Sequence, residues 1–129
     1  MTDRIERGAN ASFIVDFVAR GDSEGQWKLV LVEEGPWKNA EAELRRVQDR
    51  LYNCIEAAID GQIATRFPET SGGFMTIQLH GYNLPPVPIQ AFWQSFSAQV
   101  LTLPEYSEAL KASDHVSSIA FELDLSSIH

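Results

Sequence analysis

The stretch NAEAELRRVQDRLYNCIEAAIDG, Asn39 to Gly61, decides the fold. Within it Leu44, Val47, Leu51, Cys54, Ile55 and Ala58 recur at steps of three and four residues, the spacing of one face of an α-helix. The opposite face carries Arg45, Arg46, Asp49, Arg50, Asn53, Glu56 and Asp60. Asn39 is suited to cap the helix, because its side-chain oxygen can accept from a first-turn N–H that has no partner within the helix. Glu41 and Glu43 fall where the helix dipole is positive. Glu41 also precedes Arg45 by four residues, the favourable order for an ion pair. Gly61 can take the left-handed conformation that closes a helix. An apolar helix face must be covered by another layer, and the flanking segments supply it.

Toward the N-terminus, Ser12 to Arg20 and Gln26 to Glu33 read as strands, separated by the turn cluster Gly21-Asp22-Ser23-Glu24-Gly25. A five-residue loop pairs Phe17 with Leu29, Val15 with Leu31 and Ala19 with Trp27 on one apolar face. The mixed face then pairs Ile14 with Val32 and Asp16 with Val30. A one-residue slip would exchange the two faces. Met1 to Asn10 has little apolar content and is expected to fray.

Toward the C-terminus, Gln62 to Phe67 adds a helical turn, and Pro68 to Gly73 is a loop. Phe74 to Tyr82 is a third strand, alternating Met75, Ile77 and Leu79 with Thr76, Gln78 and His80. Asn83 to Pro88 is a stiff connection with three prolines. Pro88 is placed to open a second helix, with Ile89, Phe92, Trp93, Phe96 and Val100 on its apolar stripe. Pro104 breaks that helix and starts a short one through Leu110, with Tyr106, Ala109 and Leu110 facing inward. Ser117 to Ser126 is the last strand, with Ile119, Phe121, Leu123 and Leu125 inward and Glu122 and Asp124 outward.

The element order is therefore ββαβα(α)β, an α+β fold with a four-stranded mixed sheet and helices packed on it. The crossover through the long helix makes the second and third strands parallel. If both crossovers step the same way, one sheet face stays open, and Ile14, Val30 and Val32 would offer a homodimer surface. A chain of 129 residues, 44% hydrophobic and 22% charged, fits one domain with one core.

The net charge of −8 argues against nucleic acid and against anionic membrane surfaces, both of which need basic residues. It is compatible with a basic protein partner, drawn in by complementary charge. No apolar run is long enough to span a bilayer, and Met1 to Asn10 is no secretory signal, so a cytoplasmic setting is expected. The lone cysteine, Cys54, cannot form an internal disulfide and lies on the apolar helix face, where cysteine acts as a small hydrophobe.

Three segments, LVLVEEGPW (Leu29 to Trp37), VQDRLYNCIEAAIDGQI (Val47 to Ile63) and RFPETSGG (Arg66 to Gly73), resemble a family of small bacterial proteins known only as a domain of unknown function. That family has a Val/Leu strand, an acidic turn, a tryptophan, a long helix, an Asp/Glu-Gly segment and a Tyr/Phe-Pro, in this order. The resemblance spans roughly Gln26 to Leu125 and implies the fold and a cytoplasmic setting. It implies no activity.

Catalytic signals are weak. The chain has no phosphate-binding glycine loop, no GxSxG and no HExxH. His80, His115 and His129 lack metal-ligand spacing, and neither a metal nor a cofactor is expected. His80 is the best proton-transfer candidate. On a strand face with Thr76 and Gln78, it reads more simply as a solvated histidine. Trp37, Lys38, His80, Tyr82 and Asn83 make the candidate contact surface. Parallel strands end together, so Trp37 and Tyr82 fall at one sheet edge, where ligands of open α/β sheets sit and two helix N-termini would point their donors. The blander reading is that these aromatics plug the end of the core.

Three functions are compatible with this pattern. The first is a non-enzymatic protein-binding module, including an immunity protein that neutralises a basic toxin. The second is a small-ligand binder or enzyme at the Trp37, His80 and Tyr82 edge. The third is a homo-oligomer joined through the open sheet face.

Overall fold

The long helix forms as its residues dictate. In the computed structural model, which describes residues 14–126, it spans Ala40–Asp60 (α1). Asn39 Oδ1 accepts from Ala42 N at 3.1 Å, and Gly61 closes the helix at φ 97°. Val47, Leu51, Cys54, Ile55 and Ala58 are buried, with Leu44 at the margin of the core. Ala57 is buried as well, which widens the apolar stripe beyond the expected six positions.

The sheet has four strands in the order β1-β2-β3-β4. These are β1 (Phe17–Arg20), β2 (Gln26–Glu34), β3 (Gly73–Tyr82) and β4 (Val116–Ser126). The first pair is antiparallel and the next two are parallel. A short helix α2 (Gln62–Arg66) follows α1, while α3 (Pro86–Gln99) and α4 (Pro104–Ala112) join β3 to β4. The ββαβα(α)β mixed-sheet architecture is thus the one expected. Spatial order equals chain order, so both crossovers step in the same direction. The four helices accordingly contribute to one cluster on one face. Trp27, Leu29, Leu31, Met75, Ile77 and Leu79 rise from the sheet into it, against Leu51, Ile55, Ile89 and Phe96. No helix among the described residues is long and apolar enough to cross a membrane.

The hairpin register differs from expectation. Phe17 lies opposite Val30, Val18 opposite Leu29 and Arg20 opposite Trp27. The cause is the loop. Gly21 N donates to Gln26 O at 2.7 Å, so the turn shortens to Asp22–Gly25, with Gly25 in the left-handed region at φ 81°. The slip exchanges faces. Val18 takes the core position and Phe17 moves to the opposite face. Asp16 N also donates to Val30 O, so Asp16 and Phe17 together oppose Val30, as at a β-bulge. The extra residue returns Val15 to the core.

The open face carries Lys28, Val32, Thr76, His80 and Glu122. Val30, expected to be exposed there, is only 2% accessible within the monomer, because it sits mid-sheet between Phe17 and Gln78. It cannot supply a dimer surface, and Ile14 and Val32 are partly covered as well. Two helix boundaries also move. Pro86 rather than Pro88 opens α3, and α4 runs on to Ala112. The expected residues Ser12, Met1 to Asn10 and His129 lie outside the described residues.

Candidate functional site

Two arginines assigned to the solvent face of α1 turn back to the sheet. Arg50 Nη1 donates to Glu33 Oε2 at 2.8 Å and to Val32 O at 3.1 Å, and its Nη2 reaches Asp16 Oδ2 at 3.2 Å. Arg46 grips the same Glu33 carboxylate with Nη1 and Nη2, and gives its Nε to Glu43. Asp16 further accepts from Val32 N at 2.6 Å. Glu33 points from β2 toward the helices, where burial alone would raise its carboxyl. The hydrogen bonds and charges of Arg46 and Arg50 outweigh that and hold it below the usual carboxylate range. The same Glu33 bonds, with Glu43, hold the Arg46 guanidinium firmly protonated. Arg46 and Arg50 both spend donors on protein acceptors, so the cluster fastens α1 to β2 and to Asp16, which leads into β1.

The strand ends meet as parallel pairing requires. Glu34 is opposite Tyr82, and Gly35 N donates to Tyr82 O at 2.8 Å. Asn83 adopts φ 59°, and its carbonyl lies where any Cβ on Gly35 would be. Glycine is therefore what lets the two loops touch. The five expected contact residues nevertheless divide. Trp37 packs against the helix-side core, and its buried Nε1 has no hydrogen-bond partner among the described residues. His80 and Tyr82 stack at 4.7 Å on the opposite, open face. Lys38 and Asn83 are exposed. The edge is poor in donors. Asn39 already accepts from one first-turn N–H of α1, and Pro86 and Pro88 remove two N–H groups from the first turn of α3.

His80 gathers a hydroxyl and a carboxylate. Its Nε2 lies 3.0 Å from Ser126 Oγ and 3.7 Å from Asp124 Oδ2. A relay needs the carboxylate on one ring nitrogen and the hydroxyl on the other. Here both approach the same nitrogen, so Asp124 does not orient the imidazole for attack by Ser126. Cys54 is no nucleophile either. It is wholly buried under α1, and burial pushes its thiol up to about 12. Among the described residues, no group of three or more His, Cys, Asp or Glu is placed to hold a metal ion.

A site that the sequence reading missed lies on the outer side of the helix layer. Gln48 and Tyr52 of α1 face Phe92 and Phe96 of α3, with Val100 and Leu103 closing the far end, around a groove of about 420 Å³. Phe92 and Phe96 are stacked at 5.4 Å, and Tyr52 meets Phe96 edge-on at 5.5 Å. Among the described residues, none that lines the groove is charged. Tyr52 also stacks on Tyr106 of α4 at 6.0 Å. Tyr106 also lines a second depression, of about 380 Å³, together with Glu56, Ile59, Asp60, Glu105 and Ala109. Tyr106 donates to Glu56 Oε2 at 2.8 Å. Burial and the Glu56 carboxylate both raise the tyrosine hydroxyl, which stays a donor at any physiological pH. Phe92, Phe96 and Val100 had been assigned to an inward stripe, and Tyr106 to the inner face of its helix. Phe96 and Val100 are buried as that stripe requires and also line the groove, while Phe92 and Tyr106 are partly buried against the core.

No protein-family model, no curated protein and no solved structure matches the chain.

Proposed function

We propose that the protein is a non-enzymatic protein-binding module whose contact surface is the aromatic groove between α1 and α3. The observation that carries this reading is the composition of the groove. Aromatic and aliphatic walls with a few neutral polar groups, Gln48, Ser95 and Gln99, suit a side chain inserted from a partner. The His80, Asp124 and Ser126 arrangement supports no hydrolytic step, which favours binding over catalysis. An immunity protein that neutralises a basic toxin is one member of this class.

The test is a photo-activatable residue at Leu103, which lines the groove and is 39% exposed. It should cross-link to one protein in the native cell, and Phe92→Ser in the same chain should abolish the cross-link. A cross-link that survives Phe92→Ser would place the contact elsewhere.

A second reading keeps the strand-end edge of Trp37, Lys38, His80, Tyr82 and Asn83 as the surface for a small ligand or partner. It is favoured by the buried Trp37 Nε1, a donor without an acceptor among the described residues. Cross-linking from Tyr82 but not from Leu103 would decide for it.

A further inference from the structure

We infer that the groove receives a basic amphipathic segment, with an apolar side chain seated against Tyr52, Phe92 and Phe96 and a Lys or Arg over the neighbouring carboxylates. The inference rests on the reading of the groove as a contact surface and adds the chemistry of the partner.

The geometry comes from α1. Gln48, Tyr52, Glu56 and Asp60 follow one another at four-residue steps, which makes them one inclined ridge of the helix, about 18 Å long. The first two belong to the aromatic groove and the last two to the acidic depression. Tyr106 joins the halves, stacked on Tyr52 and bonded to Glu56. The ridge therefore carries its carboxylates at one end only. Glu105 of α4 lines the same depression as Glu56 and Asp60, so a cation there lies among carboxylates from two helices. Glu56 and Asp60 are exposed and keep lone pairs free beyond their bonds to Tyr106 and Gln62. After Arg50, α1 has no Lys or Arg to neutralise them, and α4 has only Lys111, at its far end.

The distance from Tyr52 to the middle of the acidic half is about 10 Å, two turns of a helix. An apolar anchor and a basic residue seven or eight positions apart on a partner helix match that span. Nucleic acid is unsuited to three carboxylates, and an acidic helix would be repelled by them.

Three designed helical peptides test this on the full chain. One carries Phe and Leu anchors followed two turns later by two Lys. The second replaces the Lys by Glu. The third keeps the Lys and replaces the anchors by Ser. Binding is read by amide shifts of the labelled protein. The first peptide should bind, with shifts at Tyr52, Phe96 and Tyr106, and the other two should be at least about tenfold weaker, the equivalent of roughly 1.4 kcal/mol. The triple variant E56Q/D60N/E105Q removes the charges, leaves one acceptor oxygen on each side chain, and should lose about tenfold toward the first peptide, with less dependence on salt. Equal binding of the Lys and Glu peptides, or a triple variant that binds as before, overturns the basic partner and leaves the groove reading standing. Failure of all three peptides to shift groove residues overturns both.

Discussion

Arg50 of α1 and Glu33 of β2 meet at 2.8 Å, with the Glu33 side chain only 5% exposed. Each partner is held by a second bond of the same kind, Arg50 to Asp16 and Glu33 to Arg46. Removing Arg50 therefore takes one cationic partner from each of two largely buried carboxylates. Arg50→Met should cost about 2–4 kcal/mol in chemical denaturation, near the range for breaking a buried pair, since Arg46 still serves Glu33. Arg45→Met, whose pair with Glu41 is exposed on both sides, should change stability by less than about 0.5 kcal/mol.

Acid should loosen the same fastening. The Glu33 carboxyl is held below its ordinary value of 4.5, so the folded state binds the proton less readily than the unfolded chain. Its contribution is fully present above that value and is lost as pH falls through the lower, folded one. Urea melts repeated from neutral pH down to pH 3 should show a fall in stability that is shallower in Glu33→Gln. An identical slope in both proteins would assign the acid transition to other carboxylates.

Leu51 is fully buried between α1 and the sheet face that carries Val18 and Leu29. Leu51→Ala should cost about 2–5 kcal/mol by loss of transfer energy and creation of a cavity. A melt shifted by less than about 0.5 kcal/mol would place that helix face in water.

Cys54 should be silent in the folded protein. With the thiol at about 12 and no accessible surface, a chromogenic disulfide reagent at pH 8 should react only at the rate of global unfolding. Rapid, stoichiometric labelling without denaturant would show that α1 opens locally.

The long helix and the element order were legible because each depends on short-range patterns. Asn39, Gly61 and the three-and-four spacing lie within one element, and so do the alternations of β3 and β4. The hairpin register was not, because it hangs on one bond, Gly21 N to Gln26 O, and on a bulge at Asp16. Either device moves a strand by one residue without changing its composition. Arg46 and Arg50 looked solvated because periodicity places a Cα and says nothing of where a long side chain reaches. The groove was the least legible feature. Its walls come from Gln48 and Tyr52 on one side and Phe92 to Leu103 on the other, and a helix pattern records a face without recording its neighbour. The one available signal was Gln48, Tyr52, Glu56 and Asp60 at equal steps, a ridge that passes from neutral to acidic.

The coincidence of spatial and chain order has a consequence for how the protein is made. Each strand after the first docks on the edge left by its predecessor, and no later strand has to be inserted between two earlier ones. The β1–β2 hairpin closes locally, α1 then brings β3 to the free side of β2, and α3 and α4 bring β4 to the free side of β3. A ribosome delivers the strands in that same sequence. Assembly can thus keep pace with synthesis, each emerging strand finding an edge already in place, with β4 the last to dock.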